Sequence, residues 1–258
     1  MPSSKARPVS NLLNDYHLLS FDSLDSTNEE AKRLARSGTG HGAVIWAKKQ
    51  TAGRGRMGRE WVSEEGNLFV SVLLKPEKPL ALFSELSFVA ACAVHETLEA
   101  IVPDPAELAC KWPNDILLSG KKLGGILLES FQGGETGESW VVVGVGVNVD
   151  SYPDDAEFPA TCLTKAGVEL VSAKIILSRF IHHFIEYYNE WNAGGFARIR
   201  THWLNVAWNM KKPVVARLPD RELEGIAETI DEHGNLVLRL EDGKRQYIRA
   251  ADIFPAEV

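Results

Sequence analysis

LFSELSFVAACAVHETLEAI, residues 82–101, limits the fold more than any other stretch of this 258-residue chain. Its apolar residues follow the 3.6-residue period of a helix and crowd most of its faces, so the helix must be largely buried. The segment that follows is strand-rich: ELACKW (107–112), DILLSG (115–120), KLGGILLESF (122–131) and SWVVVGVGVNV (139–149) come one after another. Ser119-Gly120-Lys121 reads as a hairpin turn between two of these runs.

On the N-terminal side, a tail over residues 1–14 precedes the first expected strand, YHLLSF (16–21). DSLDSTNEEAKRLARSG (22–38) reads as a loop feeding a helix. Ser26 and Glu29 have the spacing of a capping box, Ala31, Leu34 and Ala35 line one side, and Gly38 suits the stop. AVIWA (43–47) and NLFVSVLLK (67–75) are further strands, and helices are expected near 172–192 and 196–208. From Lys211 the texture changes to short strands, VVARL, ELEGIAETI, NLVLRL and RQYIRA, with turn signals such as Asp242-Gly243. That pattern predicts a small β-barrel, too small to be very stable alone. The expected division is 15–208 and 209–258, and with no linker between them the two parts should pack closely.

A net charge of −7 provides no broad basic field for DNA, RNA or anionic membrane, so any anion site must be local. Cys92, Cys110 and Cys162 are far apart and odd in number, which suggests neither a disulfide framework nor a zinc site and fits a reducing cytoplasm. The N-terminal residues lack the sustained apolar core of a secretory signal, and no run approaches 18 consecutive apolar residues. His182 and His183 are adjacent in a helical pattern and cannot share one face, so they read as ordinary surface or core residues.

AGRGRMGREW (52–61) demands a separate explanation. It contains Gly-x-Gly-x-x-Gly, but five residues separate the preceding strand from Gly53, and REWVSEEGN after Gly58 is no helix start. A dinucleotide fold needs both junctions. The Gly-Lys-Ser/Thr ending of a P-loop is absent, and so are the interleaved aromatics of a nucleic-acid-binding loop. A solvated flexible loop is one reading. The other is a lid over a phosphate-bearing ligand, with glycine allowing close backbone approach and arginine supplying planar donors.

Four segments together decide between them. DSTN (25–28), QTAGRGRMGREW (50–61), KWPNDILLSGKKLGGILLE (111–129) and VVVGVGVNV (141–149) resemble, in order and spacing, the signatures of biotin protein ligases. The resemblance spans about residues 16–205, and the β-rich tail resembles that family's SH3-like barrel. It departs from some members at Met57, where they carry arginine, and in having no N-terminal DNA-binding module, which points to the monofunctional type.

The resemblance implies an α+β fold: a mixed-sheet catalytic domain of the biotin/lipoate ligase type, followed by the barrel. The implied reaction activates biotin with ATP, accompanied by Mg²⁺, as biotinyl-5′-AMP. The biotinyl group then passes to a lysine of the biotin carboxyl carrier protein of acetyl-CoA carboxylase. By the same resemblance Ser26, Thr27, Asn28 and Gln50 bind the ureido ring, along with the backbone around Gly53, Arg54 and Gly55. Arg56 takes the adenylate phosphate, while Arg59 is a solvated or structural charge. Lys122 sits between biotin's carboxylate and the α-phosphate, with Gly124 and Gly125 leaving room beside it. Asp115 either orients and deprotonates the acceptor lysine or simply forms a turn with Asn114. Lys111 and Asn148 face the nucleotide, and Trp61 either covers the ligand or belongs to the core.

No protein ligand set for a metal is readable. The expected partner is the carrier protein, without DNA or membrane, for a cytoplasmic monomer or weak homodimer. Two competitors stand: a lipoate- or octanoate-transferring relative of the same fold, and a non-catalytic biotin-binding regulator.

Overall fold

The computed structural model describes residues 7–13, 15–133, 137–154, 156–169 and 171–256. Strands β1 (Arg7–Leu13), β2 (Tyr16–Leu24), β3 (Ala43–Gln50) and β4 (Leu68–Leu74) are followed by β5 (Leu108–Lys111), β6 (Asp115–Leu118), β7 (Lys121–Gly133) and β8 (Glu138–Val147). Together they build one eight-stranded sheet in the order β1-β2-β3-β4-β8-β7-β6-β5. Only β2 and β3 run parallel, joined by helix α1 (Thr27–Arg36), so the sheet is mixed.

The two faces of the sheet are covered unequally. One carries α1, whose Ala31 and Ala35 pack on Phe21, Ile45 and Leu73. The other carries α2 (Leu86–Glu99), α3 (Ala173–Gly194) and α4 (Phe196–Asn205) around a larger core that includes Phe180, Phe184, Trp191 and Trp203. Strand β4, LFVSVLL, is therefore buried along its whole length. Each buried valine or leucine there contributes about 1.5–3 kcal/mol. Its one polar residue, Ser71, is fully enclosed.

The remaining strands, β9 (Pro213–Arg217), β10 (Glu222–Ile230), β11 (Leu236–Arg239), β12 (Arg245–Ile248) and β13 (Asp252–Pro255), form a second, antiparallel sheet in the order β12-β11-β10-β9-β13. Its apolar side, with Val214, Ala216, Ile230 and Leu238, is continuous with the core beneath α2 and α4. The junction is specific. Gly234, at φ +79°, sits flush on the Phe88 ring, and its carbonyl accepts the indole N–H of Trp112 at 2.9 Å. Arg200 on α4 donates to Ile230 O at 2.7 Å and to Thr229 Oγ1 at 3.1 Å.

Several sequence expectations need correction. The stretch 1–14 is not all tail, because Arg7–Leu13 pairs antiparallel with β2 as the sheet's edge. An edge strand satisfies backbone groups without needing an apolar pattern, which is why it was invisible in the sequence. The long helix begins as a 3-10 turn over Leu80–Glu85 and becomes α-helical only at Leu86. Leu80–Glu99 is long and apolar enough to cross a membrane despite lacking an 18-residue apolar run, and most of it is buried in the core. The last helix before the second sheet stops at Asn205, not 208. The turn between β6 and β7 is as expected: Ser119 (φ 51°) and Gly120 (φ 70°) both adopt positive φ, which suits a tight hairpin.

Candidate active site

A cavity of about 460 Å³ opens over the middle of the large sheet, walled by the start of α1, the 52–61 loop, the 112–115 turn, residues 153, 156–158 and 160, and β13. Gly125 on β7 stands opposite Gly146 on β8, so the sheet presents bare backbone there. The Trp61 indole lies across this gap. A Cβ at Gly146 would fall 2.7 Å from Trp61 Nε1, and one at Gly125 3.3 Å from its Cζ3. Trp61 therefore resolves to cavity wall rather than deep core, with its indole N–H left without a partner among the described residues.

One end of the cavity is polar and uncharged. Ser71 gives its hydroxyl proton to Asn28 Oδ1 (2.6 Å), and its oxygen lies 2.7 Å from Thr27 Oγ1. Thr27 gives its N–H to Gln50 Oε1 at 2.8 Å and its hydroxyl to the same atom at 3.2 Å. Gln50 Nε2 then donates to Ser63 Oγ at 2.9 Å, and Ser63 to Trp61 O at 2.7 Å. This directed chain fixes which way each amide points.

Ser26 departs from the capping box. It occupies the N-cap position of α1 with extended backbone, yet its side chain caps nothing, and its N–H is taken by Asp25 Oδ1 at 2.7 Å. Glu29 does not reach back to complete the box. It binds Lys32 at 2.9 Å and Arg54 at 2.5 Å, and charge-assisted bonds to two cations outweigh one backbone donor. These bonds, from Lys32 first and then Arg54, hold the Glu29 carboxyl below its ordinary pKa against the opposing effect of burial. The Ser26 hydroxyl is thus left free of the capping role at the cavity wall.

The other end is charged. Asp115 opens β6 directly opposite Lys111, the last residue of β5. Its carboxylate lies 2.6 Å from Lys122 Nζ and 3.6 Å from Lys111 Nζ. Lys122 is clamped by its backbone, donating from N to Pro159 O (2.7 Å) and accepting at O from Thr161 N (2.9 Å). Neighbouring Lys121 is exposed. Lys111 is buried beneath the Phe158 ring, with Nζ 3.7 Å from its centroid and 5.6 Å from that of Phe254. Burial lowers its pKa, and the nearby Asp115 opposes that shift. Arg56 donates to Asn114 Oδ1 at 3.0 Å and has no carboxylate partner among the described residues. Asn148 is buried behind this end, binding Thr161 O through Nδ2 at 3.0 Å.

The Arg/Gly loop is a compact hairpin rather than an open strand. Gly55 N donates to Arg59 O (2.7 Å) and Trp61 N to Gly53 O (3.0 Å), with Met57 (φ 56°) at the exposed tip. Arg59 is structural, as expected, and grips Asp252 of β13 with two nitrogens at 3.2 and 3.0 Å. Gly53 does not line the cavity. It packs behind the wall, where a Cβ would come within 2.5 Å of Trp61 O.

The other residues expected to bind or act line the cavity: Ser26, Thr27, Asn28, Gln50, Arg54, Gly55, Arg56, Trp61, Lys111, Asp115, Lys122, Gly125 and Asn148. Gly125 leaves room beside Lys122 as expected, but Gly124 does not, because a Cβ there would fall 2.8 Å from Gly146 O. Sequence reasoning missed Asn114, Phe158, Asp252 and Phe254, which line it too. Asn114 was visible as the neighbour of Asp115. Phe158 lies in an irregular segment and Asp252 and Phe254 on a distant strand, and none carries a local signal. Among the described residues no group of three or more His, Cys, Asp or Glu side chains converges to hold a metal ion.

Residues 20–148 match the biotin/lipoate A/B protein ligase family, and residues 212–254 match the biotin protein ligase C-terminal domain. The chain is 40% identical over 235 residues to the biotin–[acetyl-CoA-carboxylase] ligase of Paracoccus denitrificans, covering 89% of this chain and 97% of that one. It is 36% identical over 242 residues to the bifunctional ligase/repressor BirA of Bacillus subtilis, covering 92% of this chain and 73% of the relative. The biotin protein ligase of Aquifex aeolicus, solved with biotin and ATP, superposes with a TM-score of 0.80 at 27% identity over 93% of this chain and 99% of that one. With both matched regions in place and a relative aligned over nearly its whole length, the chain belongs to the biotin/lipoate A/B protein ligase family, as a biotin protein ligase.

Proposed function

We propose that the protein is an ATP-dependent biotin protein ligase that forms biotinyl-5′-AMP and transfers the biotinyl group to a lysine of the biotin carboxyl carrier protein of acetyl-CoA carboxylase. One observation carries this reading. A single cavity joins an uncharged, orientation-fixed hydrogen-bonding end (Ser26, Thr27, Asn28, Gln50) to a cationic end (Arg56, Lys111, Lys122), in a chain whose net charge is −7. A cyclic urea needs the first, and a carboxylate meeting a triphosphate needs the second.

In the first step a carboxylate oxygen of biotin attacks the α-phosphorus of ATP, and the bond to the leaving pyrophosphate breaks. Lys122 exchanges its contact with Asp115 for the carboxylate and α-phosphate, stabilising the developing charge. Arg56, half-buried and without a carboxylate partner among the described residues, takes the phosphate of the adenylate. ATP would be taken as its Mg²⁺ complex, with the ion held mainly through the phosphates rather than by a protein cage. Trp61 and the hairpin loop keep water from the mixed anhydride.

In the second step the acceptor amine attacks the acyl carbon, and AMP leaves with the bonding electrons. The amine of a free lysine side chain is protonated in neutral solution, since it titrates only near about 10.4. Asp115, released by Lys122, orients it and accepts its proton. Lys111 and Asn148 hold the nucleotide end. The domain division at residues 208 and 209, a monomer or weak homodimer, and action in the cytoplasm without DNA or membrane complete the proposal.

Intact-mass analysis of a purified carrier domain after incubation with biotin, Mg-ATP and this protein tests it. One added biotinyl group is expected, and no addition with lipoate or octanoate. A competent carrier left unmodified would overturn it.

A further inference from the structure

Behind the uncharged end of the cavity, Glu129 on β7 touches two parts of the site while lining none of it. Its Oε2 accepts from Asn28 Nδ2 at 2.7 Å. Its Oε1 accepts from Lys32 Nζ at 2.7 Å and lies 3.6 Å from Arg54 Nη2 of the hairpin loop. Lys32 and Arg54 converge in turn on Glu29, closing a four-membered cluster of charges between α1, β7 and the loop.

An asparagine amide is nearly symmetrical in shape and opposite in chemistry at its two ends, so its neighbours must decide which end a ligand meets. A carboxylate only accepts, so Glu129 requires the NH₂ end of Asn28 to face it. The second N–H points to Leu127 O at 3.5 Å. Ser71 donates to the carbonyl end from the opposite side at 2.6 Å. That oxygen rests on the sheet at Gly144, which lines the cavity and where a Cβ would collide with it. With both of its N–H groups used, Asn28 has only acceptor capacity left, as a ring N–H of a cyclic urea requires.

We propose that Glu129 is a positioning residue that sets the polarity of Asn28 and, through Arg54, ties occupancy of the ring end to the placement of the 52–61 loop. The inference rests on the reading of Asn28 as a ring-binding residue.

Steady-state biotinylation of the carrier domain at varied biotin tests both. Glu129→Gln removes the charge without changing shape and permits the Asn28 amide to turn. Loss of a charge-assisted bond should raise the biotin KM about tenfold or more, with kcat at saturating biotin changed less than about threefold. Biotin-induced hydrogen-exchange protection of residues 52–61 should fall in parallel. Lys32→Ala removes only an outer partner of Glu129 and should leave the biotin KM within about twofold. Should Glu129→Gln fail to fold, Ser71→Ala removes the donor at the other end of the amide and should give the same KM-against-kcat split. An unchanged KM in the folded Glu129→Gln enzyme, or in Ser71→Ala where that variant replaces it, overturns the inference when Asn28→Ala raises the KM. Equal KM increases in Glu129→Gln and Lys32→Ala also overturn it, because they would mark a merely structural cluster. An unchanged KM in Asn28→Ala overturns the reading of the ring end itself.

Discussion

Replacing Lys122 by alanine isolates the charge on which adenylate formation depends. The Lys122 side chain is 28% exposed, and its ammonium lies 2.6 Å from Asp115. For a partly buried charge about 4 Å from a developing anion, an effective dielectric near 20 corresponds to roughly 4 kcal/mol. Remaining solvent access lowers that figure toward about 2.7 kcal/mol, so the first step should slow by about 10²–10³. Lys111 cannot substitute, because it is buried under Phe158 with its ammonium 3.6 Å from Asp115. Lys121→Ala is the control: that side chain is exposed and should change the rate less than about twofold. Biotin-dependent exchange of pyrophosphate into ATP is the assay, since it reads adenylate formation without the acceptor. Equal losses for the two lysines, or a loss below about fivefold in Lys122→Ala, would refute the assignment.

Arg56→Ala should impair retention of the adenylate more than its formation, because Lys122 remains; free biotinyl-AMP or biotin on bystander lysines, detected by mass spectrometry, should increase. Gly234→Ala places a Cβ 2.5 Å from Phe88 at a residue with φ +79°, and should cost about 1–3 kcal/mol in a denaturant melt. It should also lower kcat more than biotin affinity, because the displaced turn carries the acceptor for Trp112, next to Pro113 and Asn114. Burial lowers the pKa of His95 and of His41, so each resists protonation when folded. Their stabilising contribution is complete above the unfolded histidine value of about 6.5 and is lost as pH falls through the lower folded values. The unfolding midpoint should therefore drop as pH falls below about 6.5, and His95→Gln should reduce that slope; an unchanged slope would count against the burial argument.

Local pattern determined much of this protein. The 3.6-residue period of 82–101 marked a core helix, the run of strands after it marked a sheet, and the Ser119-Gly120 turn set the hairpin that carries Lys122. Four short motifs also held about two-thirds of the cavity lining, because glycine, arginine and lysine in close spacing meet constraints that act within a few residues. Other decisions belonged to the tertiary structure. An edge strand at Arg7–Leu13 forms because β2 presents open backbone groups, not because its own sequence alternates. Ser26 caps nothing because Glu29 finds Lys32 and Arg54. Ser71 stands as a lone polar residue in LFVSVLL, and only the approach of α1 brings Thr27 and Asn28 to it. Phe158, Asp252 and Phe254 join the site from segments remote in sequence, once the second sheet has docked. Residue type and spacing specify what a side chain can do, but which partner it meets depends on the competition among all groups brought within reach, and that competition exists only after the layers have packed.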